Sequence, residues 1–200
     1  MNPLLPEEAQ SHLILGSRSP RRREIMRGLD LEFEVVPPDE AVEDGAVGVD
    51  GEERPLVAAR LKAREVGSRY PGARVIGADT VVLLGNELLE KPRDDEEASA
   101  FLEKLSGQIH TVVTGVVVRR HAAEIEVSGK EITRVRFREL TPTEIEGYVA
   151  SGEGRDKAGA YAVQGLGAGL VSSIEGCFYN VVGLPVSLLL DLLRKSVATG

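Results

Sequence analysis

The stretch Ser17-Arg18-Ser19-Pro20-Arg21-Arg22-Arg23 concentrates guanidinium and hydroxyl groups at one point of the chain. Ser19 is a good N-cap and Pro20 a good first helical residue, so a helix should begin there. The first turn of a helix carries positive partial charge and favours Asp or Glu by about 0.3–1 kcal/mol each. This one carries Arg21, Arg22 and Arg23 instead. The free N–H groups that make a helix end positive also bind anions, and guanidinium forks add bidentate phosphate contacts. A polyphosphate docked there turns repulsion into attraction, with Ser17 and Ser19 as hydroxyl donors. The alternative is a solvated basic face, a description that fits Arg18 and Arg23.

Asp79 is the second candidate. It follows the apolar run Val75-Ile76 and two small residues, Gly77-Ala78, where a carboxylate can face a cleft at the C-terminal end of a strand. Beside a phosphate site it becomes a candidate Mg²⁺ ligand or water activator; otherwise it caps the turn into Val81. Lys62 lies within the apolar stripe of its helix, between Ala59 and Val66, either as a snorkelling lysine or as a cation for phosphate. Lys91 precedes Pro92, which restricts its backbone, and either presents an ammonium to phosphate or sits in solvent. Gln164, in a glycine-rich stretch, offers the amide donor and acceptor that suit reading a base edge, or is a solvated loop residue.

Other reaction classes drop out. His12, His110 and His121 lack metal-ligand spacing, and the single cysteine, Cys177, excludes a disulfide framework and a multi-Cys zinc site. There is no nucleophile elbow, no Walker lysine and no dinucleotide fingerprint. A formal net charge of −8 argues against general nucleic-acid or membrane-surface binding, so any anion site is local. The longest apolar stretch, Val181 to Leu193, is broken by Gly183, Pro185, Ser187 and Asp191 and is too short to span a bilayer. The expectation is a soluble cytoplasmic protein of one domain over 1–200, with 1–11 as a flexible N-terminal extension.

These residues need elements to position them. Leu13–Leu15 reads as a buried strand running into the arginine helix, which should end at Gly28. Phe33–Val36 reads as a second strand, Asp39 to Arg54 as a mobile loop, and 55–69 as a helix. The hairpin signal Gly85-Asn86 joins Val81–Leu84 to Glu87–Glu90. Asp94 caps a helix ending at Gly107, and Thr111–Val118 and Glu131–Phe137 are β-rich. Thr141-Pro142-Thr143-Glu144 is a capping box, and a last helix starts near Pro185. The fold class is a mixed-sheet α/β domain with flanking helices.

In order along the chain, these segments closely resemble the Maf family of nucleoside triphosphate pyrophosphatases. The matching motifs are Ser17 to Arg23, Lys62-Ala63, Gly77-Ala78-Asp79-Thr80, Glu90-Lys91-Pro92, Leu105-Ser106-Gly107, Thr114-Gly115, Tyr148 to Gly152, Asp156 to Tyr161, Gln164 to Gly167 and Asn180 to Pro185. The resemblance implies a fold shared with inosine triphosphate pyrophosphatases, elongated, with two lobes around a cleft. It implies metal-dependent hydrolysis, with Mg²⁺ or Mn²⁺, of a nucleoside triphosphate to the monophosphate and pyrophosphate. Arg21, Thr80 and Gln164 match the subgroup preferring dTTP, UTP and modified pyrimidine nucleotides over the one preferring 7-methyl-GTP. Homodimers and arrest of septum formation are associated with the family. Where the family carries an acidic pair that helps hold metal, this chain has Ala41-Val42; a one-residue shift brings Glu43 into place, with Glu40 as the alternative.

The expected chemistry follows from these assignments. Arg21, Arg22, Lys62 and Lys91 hold the triphosphate; Asp79 and Glu43 hold the metal, and Asp79 also activates water. Thr80 and Gln164 read the base. Rival readings are a 7-methyl-GTP pyrophosphatase and a non-catalytic nucleotide-binding regulator.

Overall fold

The computed structural model describes residues 1–39, 42 and 45–198. Strand β1 (Leu13–Gly16) leads into helix α1 (Pro20–Gly28) and on to β2 (Phe33–Val35), which pairs with β1 in parallel. Helix α2 (Arg54–Arg69) crosses to β3 (Arg74–Leu84), also parallel to β1, with Gly16 opposite Gly77. Strand β4 (Glu87–Leu89) folds back antiparallel on β3 with Leu84 opposite Glu87. Gly85 has φ 58°, the left-handed backbone that a two-residue hairpin turn requires.

There follow α3 (Asp95–Leu105), β5 (Ile109–Arg120), β6 (Ile125–Phe137) and α4 (Pro142–Ala150). Strand β7 (Val171–Glu175) then pairs antiparallel with β6, ahead of α5 (Phe178–Val182) and α6 (Val186–Ala198). The result is one seven-stranded mixed sheet in the order β2-β1-β3-β5-β6-β7, with β4 on β3. The α/β expectation holds. The predicted caps are in place here too: Asp94 Oδ1 accepts from the Glu97 N–H, and Thr141 and Glu144 form the capping box.

Two compact units share these elements: Met1–Asp79 with Thr114–Glu131 and Gly183–Gly200, and Thr80–Val113 with Ile132–Val182. In the first, Ile14, Ala59, Ala63, Val66, Ala73, Val75 and Val117 form a fully buried cluster. The segment 1–11, expected as a flexible extension, packs into this unit instead. Ala9 is fully buried, and Gln10 replaces missing backbone partners. Its Oε1 accepts from the Asn2 N–H at 2.8 Å and its Nε2 donates to the Asn2 and Leu5 carbonyls. Asn2 Nδ2 then donates to the Leu29 carbonyl at 2.8 Å, tying the segment to the end of α1. A polar side chain supplying hydrogen bonds inside a fold looks, in sequence, like one solvated outside it.

The end of α1 also differs from expectation. The helix runs through Gly28, and the left-handed residue is Asp30 at φ 52°. Its N–H donates to the Arg27 carbonyl, and the Leu31 N–H reaches back to Met26. This is a Schellman motif with an acid where glycine is usual, and Asp tolerates the conformation better than most residues.

In the second unit Val81, Leu83 and Val113 are buried with Leu88 against them. His110, Phe137 and Tyr161 meet edge-to-face with ring centroids 4.8–5.3 Å apart, and a His110 ring nitrogen lies 2.8 Å from the Tyr161 hydroxyl. Burial pushes His110 down from 6.5 to about 4. The folded state therefore resists a proton that the unfolded chain accepts. The stability this confers is complete above pH 6.5 and is lost as the pH falls toward 4, by about 3 kcal/mol at the lower limit. Urea unfolding at pH 7 and pH 4.5 should show that loss in the wild type and a clearly smaller one in His110→Gln. Equal losses in both would assign the acid sensitivity to other groups.

Candidate functional site

The arginine helix is held by its second arginine. Ser19 caps α1, its Oγ accepting from the Arg22 N–H at 3.4 Å. Ser17 is buried, and its Oγ accepts from the Ser19 N–H at 3.2 Å and from Arg22 Nη1 at 3.1 Å. The Arg22 side chain is itself buried: Nη1 also donates to the Ala78 carbonyl at 2.9 Å, and Nε donates to the Gly183 carbonyl at 2.8 Å. One of the three arginines in the positive first turn is thus offset by carbonyl and hydroxyl oxygens of the protein. Arg21 is half-buried and Arg18 exposed.

The carbonyl that Arg22 grips belongs to the residue before Asp79. Strand β3 does not end there, as the sequence suggested, but continues to Leu84. Asp79 lies mid-strand, where alternation places it on the same face as Val75 and Gly77. That face meets α2. A Cβ at Gly77 would lie 2.3 Å from the Ala59 carbonyl oxygen and 2.9 Å from Ala63 Cβ, so only glycine lets the helix come this close. Gly115 on β5 does the same one turn earlier, where a Cβ would lie 2.5 Å from Leu56 Cα. The turn of α2 between Ala59 and Ala63 carries Lys62. Its Nζ donates to Asp79 Oδ1 at 2.7 Å, with the lysine side chain 6% and the aspartate 20% exposed.

Such a pair has a chemical use. Lys62 takes one of the roughly four lone-pair positions of the carboxylate, fixes its rotamer, and keeps a cation at the site. The remaining positions are hard oxygen donors. A single carboxylate completed by substrate phosphate oxygens is an ordinary Mg²⁺ donor set, so Asp79 fits the expected metal. Among the described residues no three His, Cys, Asp or Glu side chains gather as a metal cluster. Glu43 and Glu40, the sequence candidates for the second acid, lie outside the described residues.

The first unit thus brings together Ser17, Ser19, Arg22, Lys62 and Asp79. Thr80, Lys91 and Gln164 belong to the second. Thr80 is half-buried on the face of β3 opposite Asp79. Lys91 is exposed, beside Glu90, whose carbonyl accepts from the Gly159 N–H at 3.1 Å. Gln164 is exposed immediately before the 3₁₀ turn Gly165–Leu170.

Residues 12–196 match the model of the family described as Maf-like protein. The chain belongs to the Maf family. This Maf chain is 47% identical over 190 residues to a Deinococcus radiodurans protein named dTTP/UTP pyrophosphatase, covering 95% of each chain. It is 48% identical over 188 residues to a Myxococcus xanthus protein of the same name, covering 94% of this chain and 93% of that one. Among solved structures, a HAM1 protein from Coxiella burnetii shares the fold at 12% identity, with a TM-score of 0.50 over 94% of this chain and 98% of that one.

Sequence reasoning missed several residues of the Maf chain. Gly183 falls in the motif Asn180 to Pro185, but nothing in the sequence marked its carbonyl as the acceptor for Arg22. Gly77 and Gly115 did carry a signal, since glycine inside an apolar strand marks close backbone approach. Glu153 carried none, because its partners are two backbone N–H groups and a phenol that only the fold brings together.

Proposed function

We propose that the protein hydrolyses dTTP and UTP to the monophosphate and pyrophosphate. Extensive identity to dTTP/UTP pyrophosphatases supports the substrate class. The observation that carries the chemistry is the Lys62–Asp79 pair, 2.7 Å apart and mostly out of solvent, one residue from the carbonyl that anchors the arginine helix. In this reading Asp79 orients and deprotonates the water that attacks the α-phosphorus. Arg21, Lys62 and Lys91 neutralise charge on the triphosphate and on the departing pyrophosphate, at the positive end of α1. Arg22, anchored on Ser17 and two carbonyls, positions the helix end and the strand bearing Asp79 and keeps its positive charge beside the triphosphate. Asp79, with Glu43, would hold Mg²⁺ or Mn²⁺, which supplies charge neutralisation and a more acidic water. Thr80 and Gln164 read the base. A cytoplasmic homodimer belongs to the same reading.

Pyrophosphate release from dTTP, UTP, CTP, GTP and 7-methyl-GTP, with and without Mg²⁺ or Mn²⁺, tests the proposal. Fastest release from dTTP and UTP, dependent on the cation, is expected. Preference for 7-methyl-GTP would overturn the substrate, and tight binding without turnover would make the protein a regulator. In the same assay Gln164→Glu, which removes the amide donor, should lower kcat/KM for dTTP and UTP about tenfold. Its exposure predicts an unchanged Tm. Unaltered nucleotide preference in that variant would remove Gln164 from base reading.

A further inference from the structure

The loop that carries Gln164 is gripped on both sides by one pair of side chains. Ahead of Gln164, the Ala162 N–H donates to the Tyr148 hydroxyl at 3.0 Å. Beyond it, the Leu166 N–H donates to Glu153 Oε2 at 3.0 Å and the Gly167 N–H to Glu153 Oε1 at 2.8 Å. Tyr148 closes the ring by donating its proton to Glu153 Oε1 at 3.1 Å. The carboxylate therefore caps the first turn of the 3₁₀ segment Gly165–Leu170 from outside, at its positive end. Two glycines make room for the two grips: a Cβ at Gly165 would lie 2.4 Å from Glu153 Oε2, and one at Gly167 would lie 2.1 Å from the Ala162 carbonyl oxygen and 2.8 Å from the Tyr148 hydroxyl. Gln164 sits between the two grips with its own side chain exposed.

We infer that Glu153 and Tyr148 are positioning residues for nucleotide selection, holding the backbone on either side of Gln164 so that its amide meets the base in one orientation. The inference rests on the reading of Gln164 as a base contact. A carboxylate is needed because two N–H groups and a phenol converge on it. In Glu153→Gln one acceptor becomes an NH₂ that opposes an N–H, and one grip opens. Tyr148→Phe keeps the ring and removes both the grip on the Ala162 N–H and the link to Glu153.

The test measures kcat and KM for dTTP and CTP in wild type, Glu153→Gln, Tyr148→Phe and Gln164→Glu. Glu153→Gln should reduce the dTTP-over-CTP ratio of kcat/KM about tenfold, mainly through KM for dTTP, and Tyr148→Phe should move it the same way by about threefold. A purely structural role lowers both nucleotides alike and leaves the ratio unmoved. That result in the two clamp variants, with Gln164→Glu still altering the ratio, would overturn the inference. An unmoved ratio in all three would instead overturn the reading of Gln164. Should Glu153→Gln fail to fold by circular dichroism, Tyr148→Phe decides alone.

Discussion

Asp79→Asn should lower pyrophosphate release from dTTP about 1,000-fold or more in a protein that still folds. The substitution is close to isosteric, and the amide oxygen can still accept from Lys62 Nζ, so the strand and α2 keep their contact. What disappears is the negative charge. An amide neither takes a proton from water nor binds a divalent cation with comparable strength, and both proposed roles of Asp79 are lost together. Stability should fall by a smaller amount, about 1–3 kcal/mol, because Lys62 is buried and exchanges a charged partner for a neutral one. Circular dichroism and a urea midpoint separate the two effects. Release within tenfold of wild type would place Asp79 away from the reacting atoms, however well the rest of the site were assigned.

The legible part of this fold was whatever local chemistry determines. The Ser19 and Asp94 caps, the Thr141–Glu144 box and the Gly85 hairpin each depend on a few neighbouring residues. Asp79 and Lys62 could be picked out by type, but not their pairing, because it depends on how closely α2 approaches β3 over a separation of 17 residues. Arg22 shows the same limit from the other side. Its position in the first helical turn pointed to phosphate, but not to the nearby Ser17 hydroxyl and the two distant carbonyls that hold its guanidinium, one of them Gly183, 161 residues away. Glu153 was invisible for a related reason: a carboxylate that caps backbone N–H groups from another segment leaves no periodic or motif signature. Long-range polar contacts are where composition and spacing lose their grip.

The pairing of Lys62 with Asp79 should also be breakable without touching either residue. Gly77→Ala adds one methyl group on the face of β3 that meets α2, 2.3 Å from the Ala59 carbonyl oxygen and 2.9 Å from the Ala63 nitrogen. Both are backbone atoms of the helix, so no side chain can swing aside and α2 must lift from the sheet. The helix is already seated one turn earlier on Gly115, which leaves tilting as the easiest escape. Tilting carries the Ala59–Ala63 turn, and Lys62 with it, away from Asp79. The expected cost is about 3 kcal/mol, at the upper end for overpacking in a core. Activity should be lost even at temperatures where the variant is folded, as the carboxylate loses the cation that fixes it. Gly72→Ala is the matched control, since nothing lies within 4 Å of its added carbon, and it should change stability by no more than about 0.5 kcal/mol. Urea midpoints for the two variants, with dTTP turnover measured at 20 °C or another temperature where both are folded, decide the matter. Wild-type turnover in folded Gly77→Ala would show that the close seating of α2 is not what presents Lys62 to Asp79.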